Sequence, residues 1–254
     1  MPSASEIEIR ECTTIDEFEE CVQLQREVFR FPDIEASPRR HFIVARRAGG
    51  WALGAFAGDE LVGFVHNLVA VDGDRLYGYS HMLAVKKDYQ NKGVGARLKW
   101  AQRERALAEG RRLIRWTWDP MQARNAHFNL NRLGVVVRSY AVNFYGTDYS
   151  VVETPDAHRP GIDSDRLFGE WELDSQRVER REARQDVSVA TPEATIAIPV
   201  DWSSLIKEDP ARARSELLRV RGEFEKAFES DLVCAGFASD AQRPRYLLFR
   251  KDAV

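Results

Sequence analysis

"LAVKKDYQNKGVGARL", residues 83–98, is the stretch on which the fold turns. A hydrophobic strand ends at Val85 and a short basic loop follows. Gly93 and Gly95 then open what reads as a helix, with Val94, Leu98, Ala101 and Ala108 at helical spacing and Gly110 as its stop. The first amides of a helix have no intrahelical partner, and the positive end of its macrodipole lies there. Such a terminus suits an anionic phosphate, and glycine lets the anion approach without meeting a Cβ. The plainer alternative is that the two glycines only shape a tight strand-to-helix turn. A P-loop string G-x-x-x-x-G-K-[ST] is absent, and the dinucleotide fingerprint G-x-G-x-x-G would need glycine where Leu98 stands.

Upstream, "IEIREC" alternates like a strand and "TTIDEFEECVQLQREVF" reads as a helix capped by Thr14, with Ile15, Phe18, Val22, Gln25 and Phe29 on one face. Pro32 and Pro38 interrupt the pattern, so loop or a short helix is expected around them. "GWALGAFAGDELVGFVHNLVAV" reads as two strands joined at Gly58-Asp59, and "YGYSHMLAV" as a third. Downstream, "RRLIRWTWDP" is a buried strand, "ARNAHFNLNRLG" a helix ended by Gly134, and "VVVRSYAVNFYG" a further strand. This order predicts an α/β protein with a mixed sheet covered by helices on both faces.

The 254 residues allow one large domain or two modest ones. Hydrophobic residues make up 44% and charged residues 30%, as in an ordinary globular chain, and the net charge of -3 supplies no basic footprint for nucleic acid. Cys12, Cys21 and Cys234 fit buried free thiols in a reducing compartment. The opening "MPSASEIEIREC" lacks the basic flank and apolar stretch of a signal peptide. The longest apolar run, "LVGFVHNLVAV", falls short of the ~20 residues a membrane span needs. A cytoplasmic protein without membrane or nucleic-acid partners is expected.

Taken together, the strand ending at Val85, the loop, Gln90-x-x-Gly93-x-Gly95 and the helix resemble the GNAT superfamily of acyl-CoA N-acyltransferases. The resemblance spans roughly residues 6–149 and includes the asparagine-containing helix before a Leu-Gly pair, "NAHFNLNRLG". It implies acetyl-CoA, or another acyl-CoA, as co-substrate and no metal. Amides of Asn91, Lys92, Gly93, Val94, Gly95 and Ala96 would hold the pyrophosphate, with the Gln90 side chain close by and Lys86, Lys87 and Arg97 near enough to favour the phosphates. Met82, Leu83, Ala84 and Val85 would pair with the pantetheine arm as an added strand, and Asn125 matches an asparagine that often contacts that arm.

Acyl transfer from a thioester needs a neutral amine, a proton acceptor, an oxyanion donor and often an acid for the leaving thiolate. The Leu83 amide is the candidate oxyanion donor. Many family members carry a glutamate base on the strand before the loop, and "YGYSHMLAV" has none. Tyr79 and His81 share one face of that strand, and an unperturbed histidine titrates near neutrality, so His81 is the candidate base. Asp119 and His127 come behind it. Leu130 and Asn131 stand where the family frequently has a tyrosine acid, which leaves Tyr140, Tyr145 or water for that step.

The expected activity is transfer of an acetyl group to an amine of a small molecule, peptide or protein. A GNAT-like module that binds acyl-CoA without transferring it is the alternative, and a homo-oligomer is open. The expected domains are 1–150, binding acyl-CoA, and 151–254, a C-terminal α/β extension reached through a polar linker at about 154–160. In that extension a charge-rich segment, "DSQRVERREARQD", reads as a solvated face or mobile arm. The strand-helix-strand-strand order that closes the chain echoes the first part, which favours a degenerate second half of the same fold over an oligomerisation platform for the extension.

Overall fold

The structure, a computed structural model, describes residues 7–30, 32–149, 151, 160–185 and 191–254. The chain divides into two compact units, Met1–Ile114 and Arg115–Val254. The linker expected at 154–160 lies outside the described residues except for Pro160.

The first unit opens with β1 (Ile7–Glu11) and α1 (Ile15–Phe29). Thr14 and Glu17 form a reciprocal capping box at the start of α1, a feature worth about 1 kcal/mol. A 3-10 turn (Asp33–Glu35) and α2 (Arg39–Arg47) follow between and beyond the two prolines. Then β2 (Trp51–Ala57), β3 (Glu60–Asp72) and β4 (Arg75–Val85) complete an antiparallel sheet in the order β1-β2-β3-β4. Gly58, with φ +60°, makes the β2–β3 turn that the Gly-Asp pair announces. After β4 come a 3-10 turn (Lys87–Tyr89) and α3 (Val94–Ala108).

The two faces of this sheet have separate cores. Phe18, Cys21, Val22 and Leu24 of α1 and Phe42 of α2 pack with Phe56, Phe64 and Ala84 on one face. Val94 and Leu98 of α3 pack with Trp51, Leu53, Val62, Val65 and Val85 on the other. Alternation along each strand supplies both faces, which is why these strands read as near-continuous apolar runs.

The second unit takes up β5 (Leu113–Trp118) and continues with α4 (Ala123–Ala126), β6 (Val136–Ala141), β7 (Arg166–Glu172), α5 (Gln176–Glu182) and β8 (Ala194–Ala197). It closes with α6 (Trp202–Glu208), α7 (Pro210–Glu229), β9 (Leu232–Ala238) and β10 (Arg245–Arg250). The strand order is β5-β7-β6-β9-β10-β8. Val220 and Phe224 of α7 are fully buried, and Phe224 stacks near Tyr140 and Tyr246.

Two local readings are corrected here. The helix at 123–132 is regular only to Ala126 and then widens into a π-helix, His127–Arg132, within which Asn131 donates to the Phe237 carbonyl and accepts from the Phe237 N–H. The charge-rich segment after β7 is a capped helix rather than a mobile arm, with Ser175 accepting from Val178 N, and apart from the buried Val178 its described residues are exposed or half-buried, as the solvated face expected of it. Arg177 donates from it to the carbonyls of Gly134 and Ala235, and burial pushes its guanidinium down to about 10. All three cysteines are free and buried. Among the described residues no helix is long and apolar enough to cross a membrane.

Candidate functional site

The loop between β4 and α3 is built by its backbone. Gln90 Nε2 donates to the Val85 carbonyl at 2.9 Å, tying the loop to the end of its own strand. Asn91 and Gly93 are both left-handed, with φ +61° and +84°. Gly93 is the N-cap residue of α3, no side chain caps the helix there, and a Cβ at Gly93 would meet nothing within 4 Å. Glycine therefore answers to the backbone angle, and the space beside it is open. Val94, Gly95 and Ala96 carry the first amides of α3, which helix geometry leaves unpaired. A Cβ on Gly95 would stand 3.6 Å from Leu83 and 3.8 Å from Val85, ordinary contact distances. Lys92 is exposed, 5.7 Å from the Tyr89 ring. Lys86 and Arg97 are engaged with the protein itself: Lys86 with Glu60 at 2.6 Å and Arg97 with the Ile7 carbonyl at 2.6 Å.

Strand β4 brings the next groups. Lys86 N donates to Val62 O at 2.9 Å, so by the alternation of an antiparallel ladder Ala84 and Met82 direct their N–H toward β3. Leu83 and Val85 direct theirs away from β3, to the edge of β4 that neighbours β5 in the strand order. The ladder then slips: His66 stands opposite Met82, but Asn67 stands opposite Ser80. His81 is the extra residue of a β-bulge, a device that re-aims side chains. Ser80 faces α3, where Lys99 Nζ reaches its hydroxyl at 2.9 Å. His81 and Met82 both turn to the α1–α2 face, and alternation puts Tyr79 on that face as well.

On that face three histidines meet. The ring centroids are 5.1 Å apart for His41–His66, 5.3 Å for His41–His81 and 5.9 Å for His66–His81. His66 is 1% exposed and stacks on Phe42 at 4.5 Å. Ser37 Oγ lies 3.1 Å from His81 Nε2. Nε2 of His41 and Nδ1 of His66 are buried without a hydrogen-bond partner. Burial, and then the charge of His41, pushes His81 down to about 4. Burial and the charges of His81 and His41 push His66 to about 3, and burial lowers His41. All three are neutral imidazoles at neutral pH, and among the described residues no group of His, Cys, Asp or Glu could hold a metal ion. His41 and His66 are the residues that sequence reasoning misses. Their spacing, 25 and 15 positions along the chain, follows neither a helix nor a strand period, and only the pairing of β3 with β4 under α2 brings them together.

The remaining candidates lie in the second unit. Asn125 is exposed on α4. Tyr140 donates its hydroxyl to Asp165 at 2.7 Å, and burial with that carboxylate pushes the phenol far above its ordinary value. Arg221 also holds Asp165, at 2.8 and 2.9 Å. Tyr140 is thus committed to a buried charged network and poorly suited to release a proton. Tyr145 is 44% exposed, its hydroxyl 3.4 Å from Thr117 Oγ1 and its ring 5.0 Å from the Arg166 guanidinium. Asp119 accepts from Met121 N at 2.8 Å, and His127 Nδ1 lies 2.9 Å from Ser239 Oγ. Asp119 is thus held by its own turn and His127 by a residue more than a hundred positions away.

Comparison with known proteins bears on the same elements. Residues 16–134 match the acetyltransferase (GNAT) family. The fold is shared with the ribosomal-protein-S18-alanine N-acetyltransferase from Escherichia coli, at 14% identity and a TM-score of 0.52 over 66% of this chain and 95% of that one. It is shared equally with an acetyltransferase of the GNAT family from Streptococcus pneumoniae, at 18% identity and a TM-score of 0.50 over 65% and 98%. No curated protein matches the chain.

Proposed function

We propose that this chain, whose residues 16–134 match the acetyltransferase (GNAT) family, moves an acetyl group directly from acetyl-CoA to the amine of a small molecule, peptide or protein. The observation that carries the reading is the open, left-handed Gly93 at an uncapped helix start, one loop beyond a strand whose Leu83 and Val85 turn their N–H away from β3. Amides 91–96 offer an anion cradle for the pyrophosphate, and of the stretch from Met82 to Val85 it is Leu83 and Val85, facing away from β3, that offer backbone pairing to the pantetheine arm, while Met82 and Ala84 pair with β3.

In this reading the acceptor nitrogen attacks the thioester carbonyl. A C–N bond forms, the C–S bond breaks, and the Leu83 amide holds the oxygen as it gains charge. His81 takes the proton that the nitrogen loses, since it stands unprotonated at neutral pH. The departing CoA thiolate takes a proton in turn, and of the two tyrosines Tyr145 is the better donor because Tyr140 is bound to Asp165. The acyl-CoA domain is assigned to residues 1–150 and the acceptor is identified only as an amine.

The test is calorimetric titration with acetyl-CoA, CoA and longer acyl-CoAs, followed by an amine screen that reads thiol release. Micromolar binding with acetyl-dependent thiol release supports the reading. Binding with no release from any amine class would make the chain an acyl-CoA-binding module, and no binding at all would reduce the glycines to a turn.

A further inference from the structure

The side of β4 opposite the histidines carries a buried polar cluster that the acyl-transfer reading does not use. Lys99 and Gln102 stand three residues apart on α3, on one face of the helix. Lys99 is 3% exposed and Gln102 is fully buried. Lys99 Nζ donates to Ser80 Oγ at 2.9 Å and to Gln102 Oε1 at 3.0 Å. Ser80 Oγ lies 3.2 Å from Gln102 Oε1, and Gln102 Nε2 donates to Asn67 Oδ1 at 3.1 Å. Asn67 completes the set by donating to the Leu68 carbonyl at 3.1 Å.

The location of this cluster is what gives it meaning. Asn67 and Ser80 are the ladder pair directly beyond the bulge, the last pair in register before His81 is pushed out. Both members of that pair are gripped from α3, one by Gln102 and the other by Lys99. Burying a lysine is costly, and an apolar side chain of similar volume would serve the core as well or better. A feature that a core does not need, sited at the one irregularity of the strand, points to a geometric task.

We propose that Lys99 and Gln102 are positioning residues: from α3 they clamp Asn67 and Ser80, and so fix the bulge that turns His81 toward the acceptor side and sets the amides after it. The proposal rests on the reading of His81 as proton acceptor. It also links the two ends of one helix segment, because α3 begins at the glycine loop and reaches Lys99 within two turns. Cofactor binding at the helix start and placement of His81 then depend on the same rigid element.

The test compares Lys99→Met, Lys99→Gln and Ser80→Ala with the unaltered protein. Each is read by turnover on an amine found in the screen, by calorimetric CoA affinity, and by the ring signals of the five histidines in a protein labelled at histidine, with His81→Ala assigning the signal. A bulge that has lost its clamp misplaces its residue by about an ångström, a displacement that costs on the order of 10²-fold in rate. Lys99→Met is expected to lower kcat by that order with KM for acetyl-CoA and CoA affinity within about twofold, to leave the melting temperature unchanged or raised, and to move the His81 signal. Lys99→Gln keeps a donor for Ser80 and is expected to recover most of the rate. Should Lys99→Met fail to fold, Ser80→Ala removes only the hydroxyl that the lysine grips and carries the same expectation. Unchanged kcat and an unmoved His81 signal in both variants, beside a large loss for His81→Ala, would overturn the clamp. If His81→Ala itself leaves turnover intact, the base assignment has failed instead, and the His81 signal alone decides whether the clamp holds.

Discussion

The glycine loop at residues 88–98 and the cluster of His41, His66 and His81 make an instructive pair. The loop is contiguous, set by left-handed backbone angles at Asn91 and Gly93, and its chemistry resides in main-chain amides. The histidine cluster is drawn from α2, β3 and β4, and its chemistry resides in side chains that burial and mutual proximity keep neutral. Cofactor recognition that rests on amides survives most changes of side chain. Proton handling that rests on three packed rings does not, and the two should fail separately.

Gly93→Glu should have the largest effect. It forces a Cβ into φ +84° and puts a carboxylate where phosphate would stand, so CoA affinity by calorimetry is expected to fall by ~10²-fold or more while the histidine ring signals stay put. Retained affinity would break the comparison at its first term. His81→Ala should do the reverse, lowering turnover by ~10²-fold with CoA affinity unchanged.

The pH dependence sharpens the second term. His66 and His81 bind protons more weakly folded, at about 3 and 4, than at their ordinary 6.5. Between those values the unfolded chain binds more protons, so stability is fully present above pH 6.5 and is lost as pH falls toward 4 and then 3. Melting temperature is expected to decline over that window, and His66→Phe, which keeps a ring against Phe42, should flatten the decline. An equally steep curve in the variant would remove His66 from the account. For the same reason His81 should impose no acid limb on turnover between pH 8 and 6.

The smallest effects separate the tyrosines. Tyr140→Phe removes one hydrogen bond to Asp165, which Arg221 still holds, and should cost about 1 kcal/mol of stability with turnover within about twofold. Tyr145→Phe should leave the melting temperature in place and lower turnover several-fold, on the order of the smaller acid–base contributions. The opposite pattern would give the acid step to Tyr140.

Much of the fold is legible along the chain because its signals are local. The Gly58 turn, the Thr14 cap, the left-handed Gly110 just past α3 and the proline breaks each act within a few residues. The π-helix at His127–Arg132 is not legible, and its Asn131 bonds to Phe237, more than a hundred positions away. Nor is the role of Arg177, which reads as one more charge in a charged run until the carbonyls of Gly134 and Ala235 come to meet it.

The candidate site divides in the same way. The amino-acid sequence by itself determined the strand, the loop and the glycine-opened helix on which the proposed anion cradle rests, because Gly93 stands where the backbone turns left-handed. It also named His81 as a titratable group on the right strand. Tertiary structure alone decided what kind of group His81 is: the slip between His66 and Asn67 extrudes it, burial and then His41 disfavour its charge, and Lys99 and Gln102 hold the strand from behind. Register between strands and contact across a sheet are non-local, and no period in the chain encodes them.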